Sequence, residues 1–508
     1  MKYILAHDLG TTGNKATLYN QQGEMTASNF SAYKTRHLGD NKVEQNPEDW
    51  WQAVKESTSE LISTSGISQE EVAVISFSGQ MMGCVPVDEK ARPIRNAIIW
   101  ADQRSTAEEE EMIARIGADK GYKITGHRLS ASYSAAKIKW LMNQERDIYD
   151  KTHKFLQAKD YIIARLTGVF ATDYSDASGT NLLDLEKLQW SPEISAALEL
   201  DQEKLPELKE STAVAGELLK SAAEDLNLPP GIPVVMGAGD GVTASVGAGS
   251  TAPGTAYNYL GSSSWIALTA KEPIFDPEKR TFNWAHAVSG LYAPCGTMQS
   301  AGASYAWLRD NIAWLEQQTA AELDFEAYDL MNIRVSQSRP GADKLLFLPY
   351  LMGERSPHWN PEARGAFLGL SMNNDRADLM RAVMEGVTFN LRIILDSFAK
   401  ELEFDEIRVI GGGAESSIWR EIMANIYRKK VLKLKILREA PSLGAAIIGG
   451  IAVDIFPDFS VAEKLNPVVD RVEITPEVAD TYQEIYPVFK DSYRALTDIY
   501  SRLKGLKI

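Results

Sequence analysis

From its first residues the chain alternates short apolar runs with polar, glycine-bearing turns. Tyr3-Ile4-Leu5-Ala6 is apolar, His7-Asp8 interrupts it, and Gly10-Thr11-Thr12-Gly13 separates it from a second run ending at Tyr19. Runs of this length bounded by turn residues predict strands over 2–6 and 15–19, with a tight loop at Gly10–Gly13. Gln21-Gln22-Gly23 turns the chain back again, so it opens on a β-hairpin. Asn46-Pro47-Glu48-Asp49 predicts a helix start: a capping Asn, Pro at the first helical position, and acids on the positive helix end. That helix should pass through Trp50 and Trp51 and stop near Ile62. Residues 72–76 and 84–87 have strand character, and 134–143 read as helix.

Pro229-Pro230-Gly231 breaks the chain before an apolar strand at 232–236, and the glycine-rich run GAGDGVTASVGAG fills 237–249. Strand and helix signals alternate throughout, which predicts an α/β fold. Leu9-Gly10-Thr11-Thr12 has an echo in Leu260-Gly261-Ser262-Ser263, about half the chain away. Each places small hydroxyl residues in a turn after Gly and leads into a strand. Two domains built alike are expected, with two hairpins facing across a cleft.

The length of 508 residues is too great for one hydrophobic core, which agrees with two domains. Hydrophobic residues make up 44% and charged residues 24%, as in ordinary globular proteins. The net charge of −16 argues against nucleic acid or an anionic membrane as partner, though a local site can still bind an anionic substrate. Two cysteines, Cys84 and Cys295, could pair, but such low usage suggests a reducing compartment. No apolar run approaches the ~18 residues that span a bilayer. The expectation is a cytoplasmic, soluble protein whose first strand starts almost at Met1 with no leader before it.

A tight loop of Gly, Thr and Ser exposes backbone N–H groups and hydroxyls, which bind phosphate oxygens, and Gly lets the backbone come close. Two such loops suggest a phosphate chain held between two domains. Asp8 would then hold Mg²⁺, directly or through water. The plainer alternative is a hairpin turn that Asp8 merely satisfies. In Val409-Ile410-Gly411-Gly412-Gly413-Ala414 a strand runs into three glycines and then a helix beginning near Ser417. That turn suits a nucleotide base or ribose, or is a plain strand-to-helix connection. In Gly237-Ala238-Gly239-Asp240-Gly241 an acid follows a strand in what reads as a flexible, open loop. It could take the proton of a substrate hydroxyl in phosphoryl transfer, or serve as an ordinary turn acid. A dinucleotide loop is a poor match, since the G-x-G-x-x-G spacing fails and residues 255–265 hold no acid. The six histidines lack paired metal spacing. His7 and His286 are expected in the core or on the surface.

Taken together and in order, these residues resemble the FGGY family of carbohydrate kinases over nearly the whole chain. HDLGTTGNK resembles the family's first phosphate loop, and SYSAAKIKWLMNQ (132–144) resembles one of its signatures. GAFLGL (365–370), with a helix over 378–385, resembles the second signature, and GGGA (411–414) resembles its adenosine loop. Within the family, FLPYLMGERSPH (347–358), Lys159-Asp160-Tyr161 and Asp176-Ala177-Ser178-Gly179-Thr180 resemble the xylulokinases. The resemblance implies two actin-like (ribonuclease H-like) ATPase domains with ATP and sugar in the cleft between them, divided as 1–245 and 246–508. It implies Asp240 as base and Asp8 beside Mg²⁺. Thr11, Thr12, Lys15, Gly261, Ser262, Gly302, Gly412, Gly413 and Ser417 would line ATP, with Gln80, Met81 and Met82 at the sugar. It also allows a homodimer.

The implied activity is ATP-dependent phosphorylation of a terminal hydroxyl of a small ketose, D-xylulose first, in carbohydrate catabolism. Two positions depart from the xylulokinase pattern: Met82 stands where they carry His, and Gly241 where they carry Asn. Leaving a buried sugar hydroxyl without a partner costs about 1–3 kcal/mol. The alternatives are therefore L-fuculose, L-xylulose, L-ribulose or a polyol such as glycerol. An actin-like nucleotide switch without a small-molecule acceptor is the alternative outside enzymes.

Overall fold

The computed structural model describes residues 2–39, 41–398 and 402–506. Asp8 and Lys15 face each other across the opening hairpin, as the turn at Gly10–Gly13 requires. Strands β1 (Tyr3–Leu9), β2 (Gly13–Asn20) and β3 (Met25–Ala32) form an antiparallel meander. Helix α1 (Pro47–Ser65) starts where the capping signal predicts, with the Asn46 side chain accepting from the Glu48 N–H, and ends at Gly66 with φ 73°. Trp50, Val54, Leu61 and Ile62 are buried on it, and the helix packs on β2 and β3. Each such side chain contributes about 1.5–3 kcal/mol by leaving water.

Strand β4 (Val72–Gly79) runs parallel to β1. A mostly helical insertion follows, including α2 (Ser134–Gln144) and α3 (Ala158–Thr167), before β5 (Val214–Glu217), β6 (Pro233–Val235) and β7 (Ala238–Gly239) return to the sheet. Its order is β5-β6-β4-β1-β2-β3, with β7 also on β4. Helix α4 (Asp240–Gly247) follows β7 without a residue between them.

The second sheet repeats this plan. Strands β8 (Ala256–Leu260), β9 (Ser264–Leu268), β10 (Phe282–Ala285) and β11 (Tyr292–Met298) are antiparallel neighbours. Helices α5 (Gly302–Asn311) and α6 (Arg376–Phe398) intervene, then β12 (Glu406–Ile410) lies parallel to β8. Helix α7 (Ser417–Tyr427), β13 (Lys430–Leu434), helix α8 (Ala440–Ala452), β14 (Val468–Val472) and α9 (Pro476–Lys504) complete the chain. The order is β10-β11-β9-β8-β12-β13-β14. Both sheets thus place the first strand between its antiparallel hairpin partner and a parallel strand.

The halves meet backbone to backbone. Helix α8 packs on α4 and on β1 and β4 of the first sheet. A Cβ at Gly444 would lie 1.9 Å from the Thr243 carbonyl oxygen, and one at Gly247 would lie 1.8 Å from that of Ala440. Only glycine permits that approach. Cys84 and Cys295 are buried and free, so no bridge joins them. His7 and His286 are buried, as expected. Among the described residues no helix is long and apolar enough to cross a membrane.

Candidate active site

Asp8, Ser78 and Gly239 lie at the carboxyl ends of neighbouring parallel strands, where open α/β sheets place ligands. Asp240 is the first residue of α4. The run 237–241 is therefore no flexible, open loop, contrary to expectation. A Cβ at Gly237 would lie 1.9 Å from the Phe77 carbonyl oxygen, one at Gly239 2.5 Å from Met81 Sδ, and one at Gly241 2.5 Å from the Trp284 ring. These glycines answer crowding, and they hold the carboxylate still.

The Gly241 N–H donates to Asp240 Oδ1 at 2.7 Å. Thr243 Oγ1 lies 2.9 Å from Ser78 Oγ and 3.0 Å from the Asp240 carbonyl oxygen. Burial raises the Asp240 pKa to about 7; the Asp8 charge adds to the rise, and the Gly241 N–H and Arg355 oppose it. Burial also raises Asp8, against the Ser78 hydroxyl and Lys15. The charge of Asp8 thus helps hold Asp240 toward the neutral form.

A cleft with about 590 Å³ of empty space opens beside Asp240. Met81, Met82, Trp100, Trp265, Phe282 and Trp284 form most of its wall, and Thr297, Gln299 and Arg355 add polar groups. Met82 sits in the left-handed region at φ 65°, which a side-chain-bearing residue rarely adopts. Buried groups hold it there: its N–H donates to Gln157 Oε1 at 2.5 Å, and its carbonyl accepts from Lys137 Nζ at 2.7 Å. Burial lowers the Lys137 pKa to about 7. Gln80 is placed differently. Its Nε2 donates to the Gly10 carbonyl at 3.3 Å and to Gln45 Oε1 at 2.9 Å, bracing the first loop rather than lining the cleft.

Below the Asp240 loop, Lys159 lies within 2.6, 2.9 and 3.2 Å of Asp160, Asp173 and Asp176, all fully buried. Ser175 Oγ donates to Asp173 at 2.5 Å and accepts from the Gly239 N–H at 3.0 Å, so this network supports the residue before the candidate base.

The second hydroxyl loop packs against the start of α5 and the glycine turn. The Gly302 N–H donates to the Gly261 carbonyl at 2.9 Å, and the Ala301 and Ala303 N–H groups donate to that of Ser262 at 2.9 and 3.0 Å. A Cβ at Gly413 would lie 2.6 Å from the Leu260 side chain, whereas the nearest atom to one at Gly412 is 3.9 Å away. Gly412 and Ser417 are exposed, and Ser416 rather than Ser417 caps α7. In the first loop Thr12 is exposed, and Thr11 Oγ1 accepts from Trp100 Nε1 at 3.0 Å. Lys15 spans the halves to Glu439 at 3.3 Å.

Over residues 3–247 the chain matches the FGGY family of carbohydrate kinases, N-terminal domain, and over 256–453 the C-terminal domain of the same family. The chain belongs to the FGGY family. A gluconokinase of Bacillus licheniformis is 31% identical across 99% of this chain and 97% of its own. A xylulose kinase of Bacillus subtilis is 30% identical across the whole of both. The solved structure of a ligand-bound xylulose kinase from Lactobacillus acidophilus superposes with a TM-score of 0.91 at 27% identity, covering 99% of this chain and 100% of that one.

As an FGGY carbohydrate kinase the chain is a phosphotransferase with an alcohol group as acceptor, and ATP is its phosphoryl donor. No cluster of three or more His, Cys, Asp or Glu residues that could cage a metal exists among the described residues. A lone carboxylate such as Asp8 fits Mg²⁺, which keeps waters and takes substrate phosphate oxygens as further ligands. The aromatic wall escaped the sequence reading, which quoted Arg355 in the 347–358 segment without placing it in the cleft. The residues of the wall come from segments far apart in the chain, and only the unusual Gly241 hinted that another side chain fills its space.

Proposed function

We propose that this FGGY kinase transfers the γ-phosphoryl group of ATP to a terminal hydroxyl of a small open-chain carbohydrate, in a cleft between units divided near residue 245. The observation that carries this is Asp240: a fixed carboxylate with its pKa near 7, beside an apolar cleft, with glycine and hydroxyl loops beyond it. Such a group is poised to accept a proton at neutral pH. Asp240 takes the proton of the acceptor hydroxyl as that oxygen attacks phosphorus. The N–H groups and hydroxyls of residues 10–13 and 261–263 face the charge that builds on the phosphoryl oxygens. Asp8, with phosphate oxygens, would hold Mg²⁺, which supplies further charge neutralisation. The methionine and tryptophan wall excludes water, which would otherwise compete as acceptor.

The segment 347–358 favours D-xylulose as acceptor, as do the xylulose kinases among the relatives. A second acceptor, gluconate, is favoured by the gluconokinases among the relatives at similar identity. A coupled ADP-release assay over D-xylulose, D-gluconate and glycerol tests the activity. ADP should appear only with an acceptor, and Asp240→Ala should abolish that acceptor-dependent turnover while the fold persists. Steady ATP turnover indifferent to every acceptor would instead favour a nucleotide switch.

A further inference from the structure

One residue of the cleft wall has a backbone conformation that its own side chain opposes. Among the described residues with positive φ and a side chain, Met82 alone lines the cleft. The left-handed region crowds a Cβ, and outliers of this kind gather at ligand sites, where the surrounding structure enforces them. Here the enforcement comes from both sides. The Met82 N–H is taken by Gln157 Oε1, and its carbonyl by Lys137 Nζ.

Gln157 immediately precedes α3, and its Nε2 donates to the Asp176 carbonyl at 2.6 Å, so one amide bridges Met82 and the 176–180 segment. Lys137 stands on the first turn of α2, three residues after Ser134, whose Oγ donates to the Gly83 carbonyl at 2.7 Å. Side chains three apart share one helix face. Ser134 and Lys137 therefore fasten two successive carbonyls, those of Gly83 and Met82, to one end of α2. Lys137 is fully buried, and both hydrogen bonds that it makes among the described residues go to carbonyl oxygens, that of Met82 and that of Ser132 at 2.5 Å. An ammonium removed from water to serve carbonyls is a destabilising choice. What it secures is the conformation of one residue. That conformation aims the side chain: a Cβ at Gly179 would lie 3.5 Å from Met82 Cγ, and Met82 borders the same cleft as Asp240 and Gly241.

We propose that Lys137 and Gln157 are positioning residues for acceptor recognition. They hold residue 82 in the left-handed conformation against the preference of its side chain, and so set the shape of the cleft at the acceptor without taking part in proton or phosphoryl transfer. This rests on the kinase activity proposed above. The hydrogen bonds of Lys137 reach neither Asp240 nor the loops at 10–13 and 261–263, so its loss should leave the chemistry in place.

The test measures ADP release with whichever of D-xylulose, D-gluconate or glycerol supports turnover. Lys137→Met should raise the KM for that acceptor about tenfold or more, with kcat changed less than about threefold and the KM for ATP unchanged. Gln157→Met should act in the same direction, and it serves if Lys137→Met fails to fold. The deciding comparison is a double-mutant cycle. Glycine adopts the left-handed region freely, so in a Met82→Gly background Lys137→Met should raise the acceptor KM by less than about twofold. In a Met82→Leu background, where the Cβ remains, the full effect of Lys137→Met should persist. Equal effects in the Gly and Leu backgrounds would overturn the proposal, since the lysine would then act on something other than the backbone at 82. A fall in kcat with both KM values unchanged would also overturn it, as the mark of a smaller folded fraction. Either result leaves the kinase reading standing. ADP release that depends on none of the three acceptors would overturn both.

Discussion

The two hairpin loops are built alike and charged differently. In the first, Asp8 precedes Leu9-Gly10, and Lys15 faces it across the hairpin. In the second the corresponding residue is Tyr259, whose ring stacks on Trp265 with centroids 4.0 Å apart. Both acids belong to the first half, Asp8 near the end of β1 and Asp240 at the start of α4, and the second sheet's hairpin contributes neutral backbone and aromatic rings. The two hairpins thus share a backbone plan, and the acids stand on one side only. The second half still helps position Asp240: Tyr257 Oη donates to the Gly241 carbonyl at 2.6 Å and accepts from Trp265 Nε1 at 2.8 Å.

That asymmetry can be broken by substitution. Asp8→Asn should reduce acceptor-dependent turnover by about 10²–10³-fold, and raising Mg²⁺ should not restore it, because the carboxylate is the first loop's only acidic ligand. Gly241→Asn sets a side chain against Trp284 and should cost about 1–3 kcal/mol of stability, read as a lower thermal midpoint, while raising the acceptor KM. Asp240→Asn should have the opposite effect on stability. With its folded pKa raised from 3.8 to about 7, ionised Asp240 costs nothing below pH 4, and its penalty grows as the pH rises from there to 7. The Asn variant should be more stable by about 1–3 kcal/mol above pH 7, with the difference vanishing toward pH 4. The smallest effect belongs to the second loop: Tyr259→Phe keeps the stack on Trp265 and should change turnover by less than about threefold. A loss comparable to that of Asp8→Asn would erase the distinction between the halves.

What could be read from the sequence was contiguous. The capping signal at Asn46-Pro47, the two Gly-hydroxyl turns and the acid after Gly239 are each set by neighbours within a few residues, so their elements and positions were legible. Strand ends extended further than the apolar runs, because ladder hydrogen bonds carry β1 through Asp8 to Leu9. Crowding was not legible. Glycines at 237, 239 and 241 look the same in sequence whether they give flexibility or make room for Phe77, Met81 and Trp284. The cleft wall was hidden for the same reason: Trp100, Trp265 and Arg355 meet only through the tertiary fold. Gln80 shows the converse, since its type suited a sugar contact while its amide braces the Gly10 loop.

The role of Asp240 is tested most directly by the pH dependence of acceptor kcat/KM, measured for the unmodified protein and for Asp240→Asn. The expected result is a rate that falls about tenfold per pH unit on the acid side of a pKa at or below about 7, and an Asn variant that is flat and at least about 10³-fold slower. An Asn variant within about tenfold of the unmodified rate, with the same acid limb, would mean that another group takes the proton.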